Sequence, residues 1–207
     1  AVLAETLRDF DNVKVVQADV MEVDLHQLIQ DEFSGLDVLV CANLPYYITS
    51  PVIMKLLEEK LPVESLTVMV QKEAAVRICA APGTRACGAV SVAVQYYSQP
   101  QILFDVPRDC FFPAPNVDSA VIRLNIRKEP PVKLETEEKQ FFKLVKAAFG
   151  QRRKTVLNSL NTGLGKSKEE LSAALQQAGI APTARAEQLT MEQFGTLCNL
   201  LFPNKAK

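Results

Sequence analysis

The chain has 207 residues, 48% of them hydrophobic and 23% charged, with a formal net charge of −1. These values exclude a disordered, collagenous or disulfide-dense chain and allow one large domain, or a medium domain plus a small one. No apolar run approaches the roughly 20 residues of a membrane helix, so no membrane partner is expected.

The segment from Val2 to Leu7 reads as the end of an amphipathic helix. The opening AVLAETLRDF has no basic stretch leading into a long apolar run, so it is not read as a signal peptide. It also lacks an initiator Met and starts mid-helix, so the chain is expected to lack its true beginning. Val13 to Gln17 is a β-branched run and predicts a strand that ends just before Asp19 and Val20. Leu25 to Phe33 has helical spacing. Leu36 to Val40 predicts a buried strand. Thr49 or Ser50 before Pro51 predicts a helix start, with the helix continuing from Val52 to Glu58. Ser65 to Val70 predicts a strand, and Lys72 to Ala81 and Ala89 to Tyr97 predict helices. Strands alternating with helices imply βαβ units and a mainly parallel sheet. Ile102 to Val106 and Ser119 to Ile126 predict an antiparallel pair closing one edge.

Near Glu129-Pro130-Pro131 the pattern changes. Helices are predicted over Glu137–Phe149, Arg153–Leu160, Lys168–Ala178 and Thr190–Leu201, the last opened by a capping box with Thr190 at the cap and Gln193 at its third position. A domain boundary is therefore expected near residue 132, dividing the chain into residues 1–131 and 132–207. Charge divides in the same region. Residues 141–207 hold ten Lys/Arg against four Asp/Glu, whereas residues 1–140 hold thirteen against twenty. An acidic body with a basic helical end predicts a polyanionic partner for that end. Arg152, Arg153 and Lys154 fall at a predicted helix start, with Lys143 and Lys146 one to two turns earlier. Cations there oppose the helix dipole, and an RNA phosphate would offset that cost.

The five cysteines form no CxxC pair and are expected to be buried, reduced thiols in a cytosolic protein. His26 stands alone on a predicted helix, so neither a metal site nor a Ser-His-Asp triad is expected.

The chemistry concentrates in Asn43-Leu44-Pro45-Tyr46, directly after a predicted strand, where open α/β sheets place their ligands. The Asn43 side-chain carbonyl can accept an N–H from an exocyclic amine. Pro45 fixes its own φ and helps hold the neighbouring carbonyls in position. Acceptors drawing on both amine hydrogens would favour a tetrahedral nitrogen with its lone pair aimed outward. Tyr46 can stack on a base face. Such an amine needs no general base to attack; it needs proximity and orientation. Read without context, Asn-x-Pro is also ordinary turn chemistry.

The string Asn43-Leu44-Pro45-Tyr46-Tyr47-Ile48-Thr49-Ser50-Pro51 closely resembles the signature of the rRNA adenine-N6 dimethyltransferases. So does Phe111-Phe112-Pro113-Ala114-Pro115-Asn116-Val117-Asp118-Ser119, which fits their F-x-P-x-P-x-V-x-S pattern. Gln71-Lys72-Glu73, Ser91 to Tyr97, and Phe149 to Thr155 with Asn158 match as well, in order along the chain. The resemblance implies a Rossmann-like methyltransferase sheet, its N-terminal part missing here, with a small C-terminal helical domain. It implies S-adenosylmethionine as methyl donor. It implies that Asn43, Leu44, Pro45 and Tyr46 hold the flipped adenine and that Phe111 stacks on its other face, a role Phe112 could share. Flipping costs a few kcal/mol, which an aromatic sandwich helps to offset. Asp19 and Val20 would contact the cofactor's adenine, with Asn43 also near the cofactor. Lys146, Arg152, Arg153 and Lys154 would contact RNA. Without family context, Phe111 and Phe112 would be read as core and Asp19 as a helix cap.

The family's glycine-rich loop and its acidic ribose ligand have no counterpart here, so this chain alone is expected to bind the cofactor weakly or not at all and to be inactive by itself. Val90 and Asn116 stand where relatives often carry Leu and Lys, and Ala89 stands where many carry Arg. The expected protein is a monomeric, cytoplasmic enzyme that dimethylates two adjacent adenosines of small-subunit rRNA in the pre-small ribosomal subunit. The alternatives are a large-subunit rRNA methyltransferase of the macrolide-resistance type, a non-catalytic RNA-binding assembly factor, and a DNA adenine methyltransferase.

Overall fold

The computed structural model describes residues 2–203. The chain divides into two compact units, residues 1–36 and 37–207. The first holds α1 (Val2–Thr6) and α2 (Leu25–Glu32). Asp24 caps α2 by accepting the Gln27 N–H at 3.0 Å. Lys14 pairs with Glu32. The strand expected over Val13–Gln17 does not form, and its valines are about half exposed. β-propensity expresses fit to a paired, half-buried surface, and no strand pairs with this run among the described residues.

The second unit is built on β1 (Leu39–Asn43), β2 (Ser65–Gln71), β3 (Ser98–Val106) and β4 (Ser119–Ile126) in the order β1-β2-β4-β3. β1 and β2 are parallel, whereas β4 runs antiparallel to both β2 and β3. The expected antiparallel closing pair is present, but the described sheet is mixed rather than mainly parallel. Leu66, Val68 and Val70 stand opposite Leu124, Ile122 and Ala120, and all six side chains are fully buried. This alternation puts one continuous apolar face into the core. β1 starts later than expected and is largely exposed, because Val38 alone among residues 36–40 reaches the interior. Over the sheet lie α3 (Thr49–Glu58), α4 (Lys72–Ile78) and α5 (Ala89–Tyr97). Pro51 is the third residue of α3, where the first-turn N–H groups have no helical partner, so its missing donor costs little.

The helical part comprises α6 (Glu138–Ala148), α7 (Val156–Leu164), α8 (Lys168–Gln177) and α9 (Met191–Leu201). Thr190 and Gln193 form the expected capping box. This part shares its core with the sheet layer: Val92 and Tyr96 of α5 belong to the same buried cluster as Phe141, Leu144, Leu160, Phe194 and Leu197. Tyr96 stacks on Phe141 at 5.1 Å between centroids, and Tyr97 stacks on Phe142 at 5.3 Å. The Glu138 carboxylate accepts the Tyr97 hydroxyl at 2.7 Å and pairs with Lys60 at 2.9 Å. α6 and α7 cross closely, since a methyl on Gly163 would meet the Ala147 Cβ at 2.7 Å.

All five cysteines are free, but Cys41 and Cys110 are exposed, so only part of the expected burial holds. Burial pushes the Cys79 and Cys87 thiols up from 9.0 to about 11, and Cys198 to about 12. Burial, then the neighbouring Glu138, pushes Tyr96 from 10.0 to about 12. Each of these acids keeps its proton to higher pH when folded than when unfolded. Their contribution to stability is therefore complete below about pH 9 and is lost as pH rises towards 12. The melting temperature is expected to fall through that window, followed by circular dichroism. A melting temperature unchanged up to pH 11 would contradict the assignment.

Candidate active site at the carboxyl edge of the sheet

Strand register gathers the sequence motifs. Asn43 ends β1 opposite Met69 of β2, Gln71 ends β2 opposite Ser119, and Ser119 starts β4 opposite Val106 at the end of β3. One edge of the sheet therefore carries the segments 44–48 and 107–118, the two longest motifs in the chain. Among α/β sheets this carboxyl edge is where ligands bind.

The 44–48 segment is held by its own residues. The Leu44 side chain is buried, and its N–H donates to the Met69 carbonyl at 3.4 Å, so Leu44 anchors the turn on β2. The Pro45 carbonyl accepts the Ile48 N–H at 3.1 Å and the Thr49 hydroxyl at 3.2 Å. Thr49 thus reaches back to the motif instead of capping α3, as its sequence position suggested. Asn43 is exposed, and its side chain makes no hydrogen bond among the described residues. Tyr46 is half-buried, and its hydroxyl is 2.8 Å from the buried Ser119 Oγ. Ser119 was missed as a site residue, although it closes the F-x-P-x-P-x-V-x-S pattern.

The 107–118 segment is closed by Asp118, whose carboxylate accepts the Arg108 N–H at 3.0 Å. The Asp118 carbonyl accepts the Lys72 N–H at 3.0 Å, and the Lys72 ammonium pairs with Asp105 at 2.6 Å. That hydrogen bond, with the Asp105 charge, holds the Lys72 ammonium above its ordinary pKa. Phe111 is half-buried and Phe112 fully exposed, so neither is a core residue.

Asp19 lies in the first unit. Its Oδ1 accepts the Met21 N–H at 2.8 Å, and its carbonyl accepts from Glu22 and Val23, which makes a tight turn. A carboxylate offers about four acceptor positions, so an exposed Asp19 retains capacity for an amine donor, with half-buried Val20 beside it. The remaining Asp19 acceptor positions can take an amine N–H.

Arg152, Arg153 and Lys154 are exposed and lie in the 149–155 loop between α6 and α7, not on a helix start. Phe149 ends α6, and Thr155 caps α7 by accepting the Asn158 N–H at 3.4 Å. The three cations thus follow the negative end of the α6 dipole, which favours them, and precede the positive end of α7, which opposes them. None of them, nor Lys146 in the last turn of α6, forms an ion pair among the described residues. The Ser91–Tyr97 motif is structural: the Ser91 hydroxyl donates to the Arg77 carbonyl at 2.6 Å, tying α4 to α5. Among the described residues, no cluster of three or more His, Cys, Asp or Glu could hold a metal, and no helix is long and apolar enough to cross a membrane.

Residues 1–202 match the family described as "Ribosomal RNA adenine dimethylase". The chain is 53% identical over 197 residues to "Ribosomal RNA small subunit methyltransferase A" of Alkaliphilus metalliredigens, covering 95% of this chain and 68% of that protein. It is 49% identical over 204 residues to the protein of the same name from Geobacillus sp., covering 97% and 70%. The fold resembles a dimethyladenosine transferase from Plasmodium falciparum (TM-score 0.71, 23% identity, 93% of this chain and 73% of that one). It also resembles the 23S rRNA methyltransferase ErmE (TM-score 0.65, 25% identity, 97% and 76%).

Proposed function

Because the chain belongs to the ribosomal RNA adenine dimethylase family, we propose that it transfers methyl groups to N6 of two adjacent adenosines in a small-subunit rRNA hairpin loop. The observation that supports this reading most is the 44–48 turn. Its Pro45 carbonyl is already committed to Ile48 and Thr49, whereas the Asn43 side chain and the Leu44 carbonyl take no hydrogen bond among the described residues. These two acceptors would each take one hydrogen of the target amine and leave its lone pair pointing away from both. Tyr46, fixed through Ser119, would stack on one face of the base and Phe111 on the other. Leu44 serves through its carbonyl and its buried anchor, and Pro45 through its rigid φ.

The methyl donor of this reading is S-adenosylmethionine, which supplies an electrophilic methyl on a sulfonium centre when bound. Asp19 would accept its adenine amine, with Val20 packing alongside. Lys146, Arg152, Arg153 and Lys154 would meet RNA phosphates from the helical part, residues 132–207, as residues 1–131 carry the chemistry. The protein would act as a cytoplasmic monomer on the pre-small subunit. One structural neighbour, ErmE, is a 23S rRNA methyltransferase, so the test offers both substrates. Equal amounts of a small-subunit hairpin and a large-subunit fragment are incubated with the full-length protein and labelled S-adenosylmethionine. Label is expected in N6,N6-dimethyladenosine of the small-subunit hairpin. Label confined to large-subunit RNA would overturn the proposal.

A further inference from the structure

Two aromatic rings beside the clamp are given no task by this reading. Tyr47 is 86% exposed and Phe112 103% exposed. Burying rings of this size is favourable, so two of them standing in solvent on adjacent loops invite a ligand. Neither takes part in a ring–ring contact among the described residues.

Their placement narrows what that ligand is. Tyr47 directly follows Tyr46, and Phe112 directly follows Phe111. Each motif that offers one ring to the target base therefore offers a second ring outward. The hydrogen bond between the Tyr46 hydroxyl and Ser119 ties the two segments at 2.8 Å, and the Arg108–Asp118 bond closes the loop that displays Phe112. When an adenine leaves its stack, the nucleotides on either side lose a stacking partner and expose a π face. We infer that Tyr47 and Phe112 stack on the nucleotides flanking the target adenine, holding the RNA loop open while the clamp takes one base. This rests on the function proposed above. Base–aromatic stacking tolerates any base because it reads no hydrogen-bonding edge. The same two rings therefore serve both registers when the RNA shifts by one nucleotide to present the second adenosine.

The test uses a small-subunit hairpin with 2-aminopurine either at the target adenosine or at a flanking nucleotide. The chain has no Trp, which keeps the probe's signal clean. With the unaltered protein, the flanking probe is expected to be quenched by stacking and the target probe to respond to extrusion. With the probe placed on each flank in turn, Y47A is expected to abolish the quench on one flank and F112A on the other, each weakening hairpin binding about tenfold, or about 1.4 kcal/mol. Y47F and F112Y are expected to retain both. Because both side chains are exposed, melting temperatures should not change. A double alanine variant that quenches the flanking probe and binds as the parent does would overturn the inference, with the clamp reading untouched. Failure of the unaltered protein to bind the hairpin or move the target probe would instead remove the clamp reading, and this inference with it.

Discussion

Asn43→Ala is expected to lower kcat for methyl transfer by about a hundredfold or more while leaving hairpin affinity within a few-fold. The side chain sits at the end of β1 without a hydrogen bond among the described residues, so its truncation removes no fold contact. What it would remove, in the reading proposed above, is one of the two acceptors that orient the amine. The other, the Leu44 carbonyl, belongs to the backbone and survives the substitution. A single oriented acceptor leaves the amine free to rotate about its C–N bond, and the productive geometry becomes rare. Single-turnover methylation with saturating S-adenosylmethionine reads this directly, and a melting curve confirms that the variant is folded. A rate within threefold of the parent would show that Asn43 does not hold the amine.

The largest expected loss of stability is at Phe141. Its ring is fully buried, stacks on Tyr96 at 5.1 Å and meets Phe142 edge-on at 5.3 Å. Phe141→Ala is expected to cost about 3–5 kcal/mol, from lost burial and the cavity left behind. That is a large share of the roughly 5–15 kcal/mol that holds a typical domain folded. The location adds to the effect, because Tyr96 belongs to α5 on the sheet and Phe141 to α6 of the helical part. Urea denaturation followed at 222 nm measures the change. A cost below about 1 kcal/mol would mean that the two layers do not depend on this ring cluster.

Most of the sheet and all the long helices were legible because burial imposes their periodicity on the sequence. Leu66, Val68 and Val70 alternate because one face of β2 is fully covered, and Thr190 with Gln193 announces α9 through capping chemistry alone. Errors arose where local preference had no tertiary partner or had two readings. Val13 to Gln17 has the residues of a strand and no neighbour to pair with among the described residues. Spacing alone puts Arg152 to Lys154 at a helix start, whereas Thr155, three residues before Asn158, is the cap of α7. The candidate site was legible as motifs, whereas its assembly was not. That Tyr46 meets Ser119, and that Thr49 turns back to Pro45, depends on which strand ends share an edge. Spacing within either motif does not contain that information.

The crossing of α6 and α7 at Ala147 and Gly163 bears on which molecule adapts during capture. At that point the Ala147 methyl group packs against the bare Gly163 backbone, so the two helices approach closely. The 149–155 loop spans the fork between them, so Arg152, Arg153 and Lys154 ride on a stiff mount rather than a tether. In the reading proposed here the backbone that carries the cations is set before RNA arrives, and the ordering cost left to the protein is that of three long, exposed side chains.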